Sequence, residues 1–139
     1  MSALLRLIYV SRSTGVVDAG FLDALLEQSR ARNLLLGITG ILCTGRGYFV
    51  QVLEGPEVNL VTLYARILSD SRHRQPSLLG IGLTAERAFS QWSMTHIDGD
   101  TLDEELHARL VGHALLNGES AEQARLLQTV ITALRKAEA

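Results

Sequence analysis

The sequence predicts an α+β fold of the ferredoxin-like type, in the order β-α-β-β-α-β with one further strand. Two observations lead to it. Five short runs rich in aliphatic and aromatic residues are interrupted by two longer segments whose apolar residues recur with helical spacing. A Gly-Arg-Gly turn joins the second run directly to the third, so these two strands should form a hairpin. This order predicts an antiparallel type of sheet with two helices on one face.

The first half of the chain contains three predicted strands and one helix. Residues 4–11 (LLRLIYVS) form the first strand. Asp18 is a suitable N-cap for a helix that extends to about residue 32. Residues 37–43 (GITGILC) and 48–53 form the second and third strands, and Gly45-Arg46-Gly47 between them is a tight hairpin signal.

The second helix and the last two strands follow. Pro56 and Glu57 open the helix, because proline suits the first helical position and glutamate complements the positive end of the helix dipole. The apolar stripe of this helix ends near residue 69. Residues 78–84 then form the fourth strand, and residues 92–97 form a short fifth strand.

The chain changes character after residue 97. Capping-box patterns at 101–104 and 120–123 open two further helices, and the second helix carries apolar residues on one side (Leu127, Val130, Ile131 and Leu134). We therefore expect a sheet domain over residues 1–97 and a two-helix C-terminal extension over residues 98–139. The apolar stripes of this extension should pack on the other sheet face or on a second copy of the chain.

Composition narrows the class of protein. With 139 residues, 47% of them apolar, the chain has enough material for one domain with a core that needs no disulfide. Cys43 is the single cysteine, which favours a reducing, cytoplasmic location. The apolar N-terminal run is interrupted by Arg6 and is too short for a secretory signal or a membrane span. A net charge of −2 argues against dedicated nucleic-acid binding.

Several polar side chains fall where the pattern predicts packed surfaces. Tyr9 lies within the first strand, Gln51 within the third, and Asn33 follows the first helix. A further polar group comes just after the second helix: Asp70, Arg72 and His73. If both helices pack on one face, these residues can converge on a crevice, and a polar ring around an apolar slot is typical of a small-molecule site.

Each of these residues also has a simpler interpretation. A strand tyrosine such as Tyr9 often only packs in the core, and Gln51 could lie on an exposed face. The charges after the second helix, like Arg30 and Arg32 in the first, could be a solvated helix end that complements the dipole. From single residues alone, the sequence predicts no more than an α+β ligand-binding module.

Patterns of enzymes and metal sites are weak. The four histidines form no HExxH pattern, so we expect no metal. There is no GxSxG motif, the glycines do not form a phosphate-binding loop, and Cys43 lies in an apolar strand. We therefore expect that the chain is not an enzyme.

Taken together, four stretches resemble the BLUF family of flavin-based blue-light sensors. They are LIYVSR, NLLLGITGILCTGRGYFVQVLEGP, DSRHR and RAFSQWSM, and they occur in order from about Leu4 to Met94. The short length and the two-helix tail resemble the stand-alone short BLUF proteins. The resemblance implies a photoreceptor that binds FAD or FMN without a covalent bond to Cys43.

The resemblance also implies roles for the residues of the relay. Tyr9 matches the tyrosine that faces the flavin and donates an electron and a proton under light, and Gln51 matches the glutamine between tyrosine and flavin. Ser11 matches a serine beside the tyrosine. Trp92 and Met94 match a pair near the glutamine that is thought to exchange places under light.

A second group matches the residues that bind the cofactor. Asn33 matches the asparagine that contacts the carbonyl region of the isoalloxazine ring. Asp70, Arg72 and His73 match positions near the ribityl chain and the ring. Arg32 stands where members of the family vary, and a cation there would meet phosphate or the ring edge.

These roles predict how a signal would be produced. An amide has donor and acceptor ends, so Gln51 can bridge flavin and phenol in two ways, by rotation or tautomerisation, and the altered bond would shift absorption to the red. The strand at 92–97 would carry the change to the tail, to a downstream protein partner, or to a homo-oligomer interface.

Two other interpretations stay open at this stage. One is a flavin- or small-ligand-binding module of the same fold that does not sense light. The other is a small ferredoxin-like enzyme such as an acylphosphatase, which needs an anion-cradling loop with an arginine and an asparagine. Arg12 and Asn33 are poor substitutes for that pair.

Overall fold

The computed structural model describes residues 4–89, 94–98 and 128–136. The described residues form five strands and three helices, as follows: β1 Leu4–Ser13, α1 Ala19–Leu36, β2 Thr39–Gly45, β3 Tyr48–Pro56, α2 Glu57–Leu68, β4 His73–Thr84, β5 Thr95–Asp98 and α3 at 128–136. None of the helices in these ranges has the length and apolar content that crossing a membrane requires.

The strands form one sheet in the order β4-β1-β3-β2-β5. The first four strands pair antiparallel, which confirms the predicted ferredoxin-like arrangement. The additional fifth strand, whose direction was not predicted, pairs parallel to β2, so the sheet as a whole is mixed. β4 and β5 lie at opposite edges of the sheet, and among the described strands β5 pairs with β2.

Alternating side chains of the strands build two cores, one on each face of the sheet. On one face, Leu7 and Tyr9 pack beneath α1 and α2, as predicted. On the other face, Ile8 and Val10 pack in a cluster that includes buried residues of α3 (Val130, Ile131 and Leu134). The described part of the tail helix predicted to open at 120 thus packs on the second sheet face, which is one of the two placements expected for it.

The first helix is longer than predicted and ends at Leu36 rather than near residue 32. Gly37 ends it in the left-handed region, with φ of 69°, and its backbone N–H donates to the carbonyl of Asn33. A side chain at Gly37 would be strained there, which explains why glycine follows the last turn. Asn33 thus lies inside α1, and β2 starts two residues later than predicted, at Thr39.

The hairpin between β2 and β3 is confirmed. Arg46 and Gly47 both have positive φ, 55° and 81°, as a two-residue type I′ turn requires. Strand β4, in contrast, begins at His73, five residues before the predicted start at 78. His73 and Arg74 pair with Ser13 and Arg12 of β1. These backbone hydrogen bonds extend β4 towards α2. The polar side chains of this segment did not predict a strand.

The fifth strand is shorter than predicted. It covers Thr95–Asp98 rather than 92–97, and Met94 immediately precedes it. Trp92 and the helix predicted to open at 101–104 lie outside the described residues.

Candidate functional site

A crevice opens on the face of the sheet that carries α1 and α2. The space in it that water can reach is about 50 Å³, which is smaller than the range of about 300–1,000 Å³ that is usual for small-molecule sites, and the crevice is open to solvent at its mouth. Eleven residues line this crevice, and they come from α1, α2, the three central strands, the turn after α2 and the first residue of β4: Tyr9, Leu25, Ser29, Arg32, Leu42, Phe49, Gln51, Ile67, Asp70, Arg72 and His73.

Tyr9 and Gln51 form the polar floor of the crevice. They are partners in the β1–β3 register, so their side chains leave the same sheet face, and they are only 4% and 6% exposed. The Tyr9 hydroxyl donates a hydrogen bond to Oε1 of Gln51. Nε2 of Gln51 donates in the other direction, to Sδ of Met94 at 3.5 Å. The amide is therefore buried with both of its ends bonded, which offsets its desolvation.

Burial has the largest effect on the pKa of the Tyr9 phenol. It raises the pKa of this side chain far above the usual value, and the neighbouring Tyr64 acts in the same direction while Arg32 opposes it. The Tyr64 ring centroid lies 5.7 Å from that of Tyr9, and the His73 ring lies 6.1 Å away. Tyr9 is thus held as a neutral phenol whose proton points at Gln51.

His73 is fixed at the wall by two hydrogen bonds. Its Nε2 lies 2.5 Å from the carbonyl oxygen of Ile67, and its Nδ1 lies 2.8 Å from Oγ of Ser11. A carbonyl can only accept, so Nε2 carries the proton and donates, and in the neutral ring Nδ1 accepts from the serine hydroxyl. Ser11 therefore orients His73, two residues along β1 from Tyr9.

Asp70 and Arg72 form a clamp at the mouth. Nε of Arg72 donates to the Asp70 carboxylate at 3.0 Å, and the Arg72 backbone N–H donates to it at 2.9 Å. The hydrogen bond from the guanidinium lowers the pKa of Asp70 and raises that of Arg72. Nη1 of Arg72 also donates to Gln28 of α1 at 3.0 Å, so the turn after α2 is tied across the crevice to α1.

Arg32 and Asn33 are neighbours on α1 but occupy different places. Arg32 lines the crevice, and burial followed by the nearby Arg72 charge lowers its pKa. Asn33 is fully buried behind it and is not one of the lining residues. Nε of Arg32 donates to Oδ1 of Asn33 at 3.4 Å, so Asn33 helps to set the direction of the guanidinium.

The structure thus brings together most of the residues singled out in the sequence. The crevice contains Tyr9, Gln51, Arg32, Asp70, Arg72 and His73, while Ser11, Asn33 and Met94 contact them from behind. Trp92 lies outside the described residues.

Sequence reasoning missed the remaining wall of the crevice. The missed residues are Leu25, Ser29, Leu42, Phe49 and Ile67, together with the mouth residue Gln28. Two signals could have found part of this wall. Leu25 and Ser29 share a helical face with the predicted site, and Phe49 lies two residues from Gln51 and therefore on its side of the strand.

Comparison with known proteins gives a consistent result. A family model described as "Sensors of blue-light using FAD", the BLUF family, matches residues 4–95. The beta subunit of photoactivated adenylate cyclase from Euglena longa is 37% identical over 95 residues, which are 68% of this chain and 11% of that protein. The chain therefore spans only about a tenth of the length of the curated relatives it matches.

Solved structures agree with the family match. BlrB, described as a BLUF protein in its dark state, has a TM-score of 0.73 and 29% identity, with 98% of both chains covered. BlrP1 of Klebsiella pneumoniae, solved with FMN and cyclic diGMP, has a TM-score of 0.68 and 33% identity, with 93% of this chain and 34% of that chain covered.

Proposed function

The chain belongs to the BLUF family of flavin-based blue-light sensors, and we propose that it is a photoreceptor that signals through a change in protein–protein contact. One observation carries the proposal. The buried Tyr9–Gln51–Met94 relay lies directly beneath a crevice, and its central amide has two chemically different ends.

The lining of the crevice suits an isoalloxazine ring in its chemistry, and the crevice would have to open further to admit one. Leu25, Phe49 and Ile67 offer apolar walls for a planar ring, and Gln51 and Arg32 offer hydrogen-bond donors for its carbonyl and nitrogen acceptors. The family description specifies FAD, and the related BlrP1 structure contains FMN. When bound, the flavin would supply absorption of blue light and a transient acceptor for one electron and one proton.

We assign three further contacts to cofactor binding. Arg72 and Asp70 at the mouth would hold the polar chain of the flavin, and His73 would contact its ring from the β4 side. Asn33 would act on the ring carbonyl region together with Arg32.

Tyr9 is the residue that would give up and recover the electron and the proton. Because burial keeps its phenol neutral, loss of an electron would leave an acidic hydroxyl whose proton can move along the hydrogen bond to Gln51. Both particles return within one cycle, so Tyr9 ends unchanged. The lasting change would lie in the amide.

Gln51 would hold that change. In the structure, Oε1 accepts from Tyr9 and Nε2 donates to Met94. A half-turn of the amide, or its tautomerisation, alters which of its atoms donate and therefore alters its bond to the flavin. Such a change would shift the flavin absorption to the red and would remove the donor that faces Met94.

The output would travel through Met94 and β5. The family's domain is a sensor and not itself catalytic. We therefore propose that residues 1–97 sense light, and that the extension at 98–139 answers by changing its contact with a downstream protein or with a second copy. We also propose that the protein works in the cytoplasm and that this chain has no enzymatic activity of its own.

An absorption spectrum before and after blue light tests the proposal. We expect flavin bands that move reversibly to the red in the wild-type protein. The variant Gln51→Leu should bind flavin but show no shift, because leucine has no hydrogen-bonding ends to exchange. Gln128→Leu changes an exposed glutamine of α3 and should shift like the wild type.

Two outcomes would contradict the assignment. If the flavin spectrum of the wild type does not change under blue light, the protein is a ligand-binding module that does not sense light. A normal shift in Gln51→Leu would show that another residue carries the switch.

A further inference from the structure

A helix residue outside the crevice contacts the switch from behind. Nε of Arg30 in α1 donates to the backbone carbonyl of Met94 at 2.8 Å. This contact joins two segments that are 64 positions apart in the chain. Arg30 is exposed as a whole, but its bond to Met94 is partly buried, so water screens it incompletely.

Met94 is therefore held at two points. Its fully buried side chain accepts from Nε2 of Gln51, and its backbone accepts from Arg30. Two residues further along α1, about half a turn around the helix, Arg32 lines the crevice. One helix thus contacts both the cofactor crevice and the residue next to the Gln51 amide.

The strand that follows Met94 is short, and its side-chain contacts lie further along it, where His96 bonds Thr44 at 2.7 Å and Ile97 packs in the core. β5 has four residues and, among the described strands, pairs with β2 at the sheet edge. The hydroxyl of Thr95, its first residue, is buried without a hydrogen-bond partner among the described residues. A buried hydroxyl without a partner lowers the stability of the position that this end of β5 occupies. The charged hydrogen bond from Arg30 to the carbonyl of Met94, the residue before Thr95, is a favourable contact at this end of the strand.

We propose that Arg30 is a positioning residue that fixes Met94 against Gln51 and so sets the lifetime of the light-adapted state. The inference rests on the proposed function. Once the amide presents Oε1 to Met94, two acceptors, an oxygen and a sulfur, face each other. While Arg30 holds Met94 in place this contact is unfavourable, and it drives the amide back to its dark arrangement.

Two substitutions separate the hydrogen bond from the charge. Arg30→Leu removes the donor. Arg30→Gln removes the charge but places an amide nitrogen at the same number of bonds from the backbone as Nε of arginine, so the bond to the Met94 carbonyl can form. Arg66→Leu, at an exposed position of α2, is the matched control for loss of a helical arginine.

The first measurement is oxidation of Met94 by hydrogen peroxide in the dark, followed by peptide mass spectrometry. The chain has two methionines, so the Met94 peptide is resolved from Met1. Met94 is fully buried, and we expect Arg30→Leu to raise its oxidation rate about tenfold, as loss of one charged hydrogen bond implies. Arg30→Gln and Arg66→Leu should stay close to the wild type.

The second measurement is the rate of dark recovery after blue light. We expect recovery in Arg30→Leu to be slower by severalfold, because a released Met94 can move away from the amide oxygen. Arg30→Gln should restore the wild-type rate. A role in overall stability alone would not produce this rescue, and urea unfolding of each variant measures that stability separately.

The outcomes distinguish two kinds of failure. If the wild type shows no light-induced shift, the proposed function fails, but the dark oxidation assay still tests the Arg30 contact. If the wild type shifts and Arg30→Leu leaves both the oxidation rate of Met94 and the recovery rate unchanged, the role of Arg30 is overturned.

Discussion

Strand β3 carries two buried polar side chains, Gln51 and Glu54, that face opposite sides of the sheet. Gln51 faces the crevice with one bond at each end of its amide. Glu54 is fully buried on the other side and accepts from Nε of Arg6 at 2.8 Å and from the backbone N–H groups of Ala88 and Phe89 at 2.8 and 2.7 Å. An amide in such a site has two arrangements, whereas a carboxylate with three donors has one.

The difference shows how one strand can serve both a switch and a fixed support. The carboxylate of Glu54 holds the segment that leads from β4 towards β5, and Arg87 of that segment adds bonds to the carbonyls of Glu54 and Gly37 at 3.1 and 2.8 Å. We therefore expect the segment held by Glu54 to stay fixed when the amide of Gln51 rearranges, and the change to leave through Met94 and β5.

Breaking the support should have the largest effect on stability. Glu54→Gln keeps the shape of the side chain but turns an NH₂ group towards backbone donors. We expect a loss of about 3 kcal/mol in the free energy of unfolding, measured by urea denaturation. Glu57→Gln, an exposed glutamate at the start of α2, should cost far less. Equal losses of unfolding free energy in the two variants would show that the hydrogen bonds of Glu54 do not stabilise the segment after β4.

On the crevice face of the sheet, we expect the free energy of unfolding to depend on high pH through Tyr9. Because burial raises the pKa of Tyr9, the folded state keeps a proton that the unfolded chain loses above about pH 10. Stability should be complete below that pH and fall as the pH rises beyond it. In Tyr9→Phe this decline should be smaller when urea midpoints are compared between pH 9 and 11. An identical decline in both proteins would argue against a buried phenol.

A smaller effect is expected at Ser11, where Ser11→Ala removes the hydroxyl that bonds Nδ1 of His73. We expect a loss of about 1 kcal/mol in unfolding free energy. The NMR shift of Nδ1 of His73 should also change, because this nitrogen loses the hydroxyl that bonds it while Nε2 keeps its bond to Ile67. An unchanged ring in Ser11→Ala would mean that Ile67 alone fixes it.

The smallest effect should come from the clamp at the mouth. Asp70 is partly exposed, so solvent screens its pair with Arg72, and Asp70→Asn should cost about 0.5 kcal/mol at neutral pH. The hydrogen bond from Arg72 lowers the pKa of Asp70, so its contribution is present at neutral pH and is lost as the pH falls below about 4. The wild type and Asp70→Asn should therefore converge in acid unfolding curves. A difference in unfolding free energy that stays constant as the pH falls would show that the substitution acts through the shape of the side chain and not through its charge.

Much of the fold followed from the sequence because its signals are local. The alternation in β1, the glycine turn at Arg46-Gly47 and the apolar stripe of α2 each occupy a few consecutive residues. The polar residues of the crevice were predicted from the four stretches that resemble one family, because such a resemblance assigns a role to each individual residue.

The tertiary structure alone decided the rest. Pairing with β1 made His73 part of β4, pairing with β2 made β5 parallel, and the fold brought Arg30 to the Met94 carbonyl and Ala88 to Glu54. The last two contacts join residues 64 and 34 positions apart. No periodicity links such residues, because a hydrogen bond across the sheet depends on where both chain segments lie in space and not on either segment by itself.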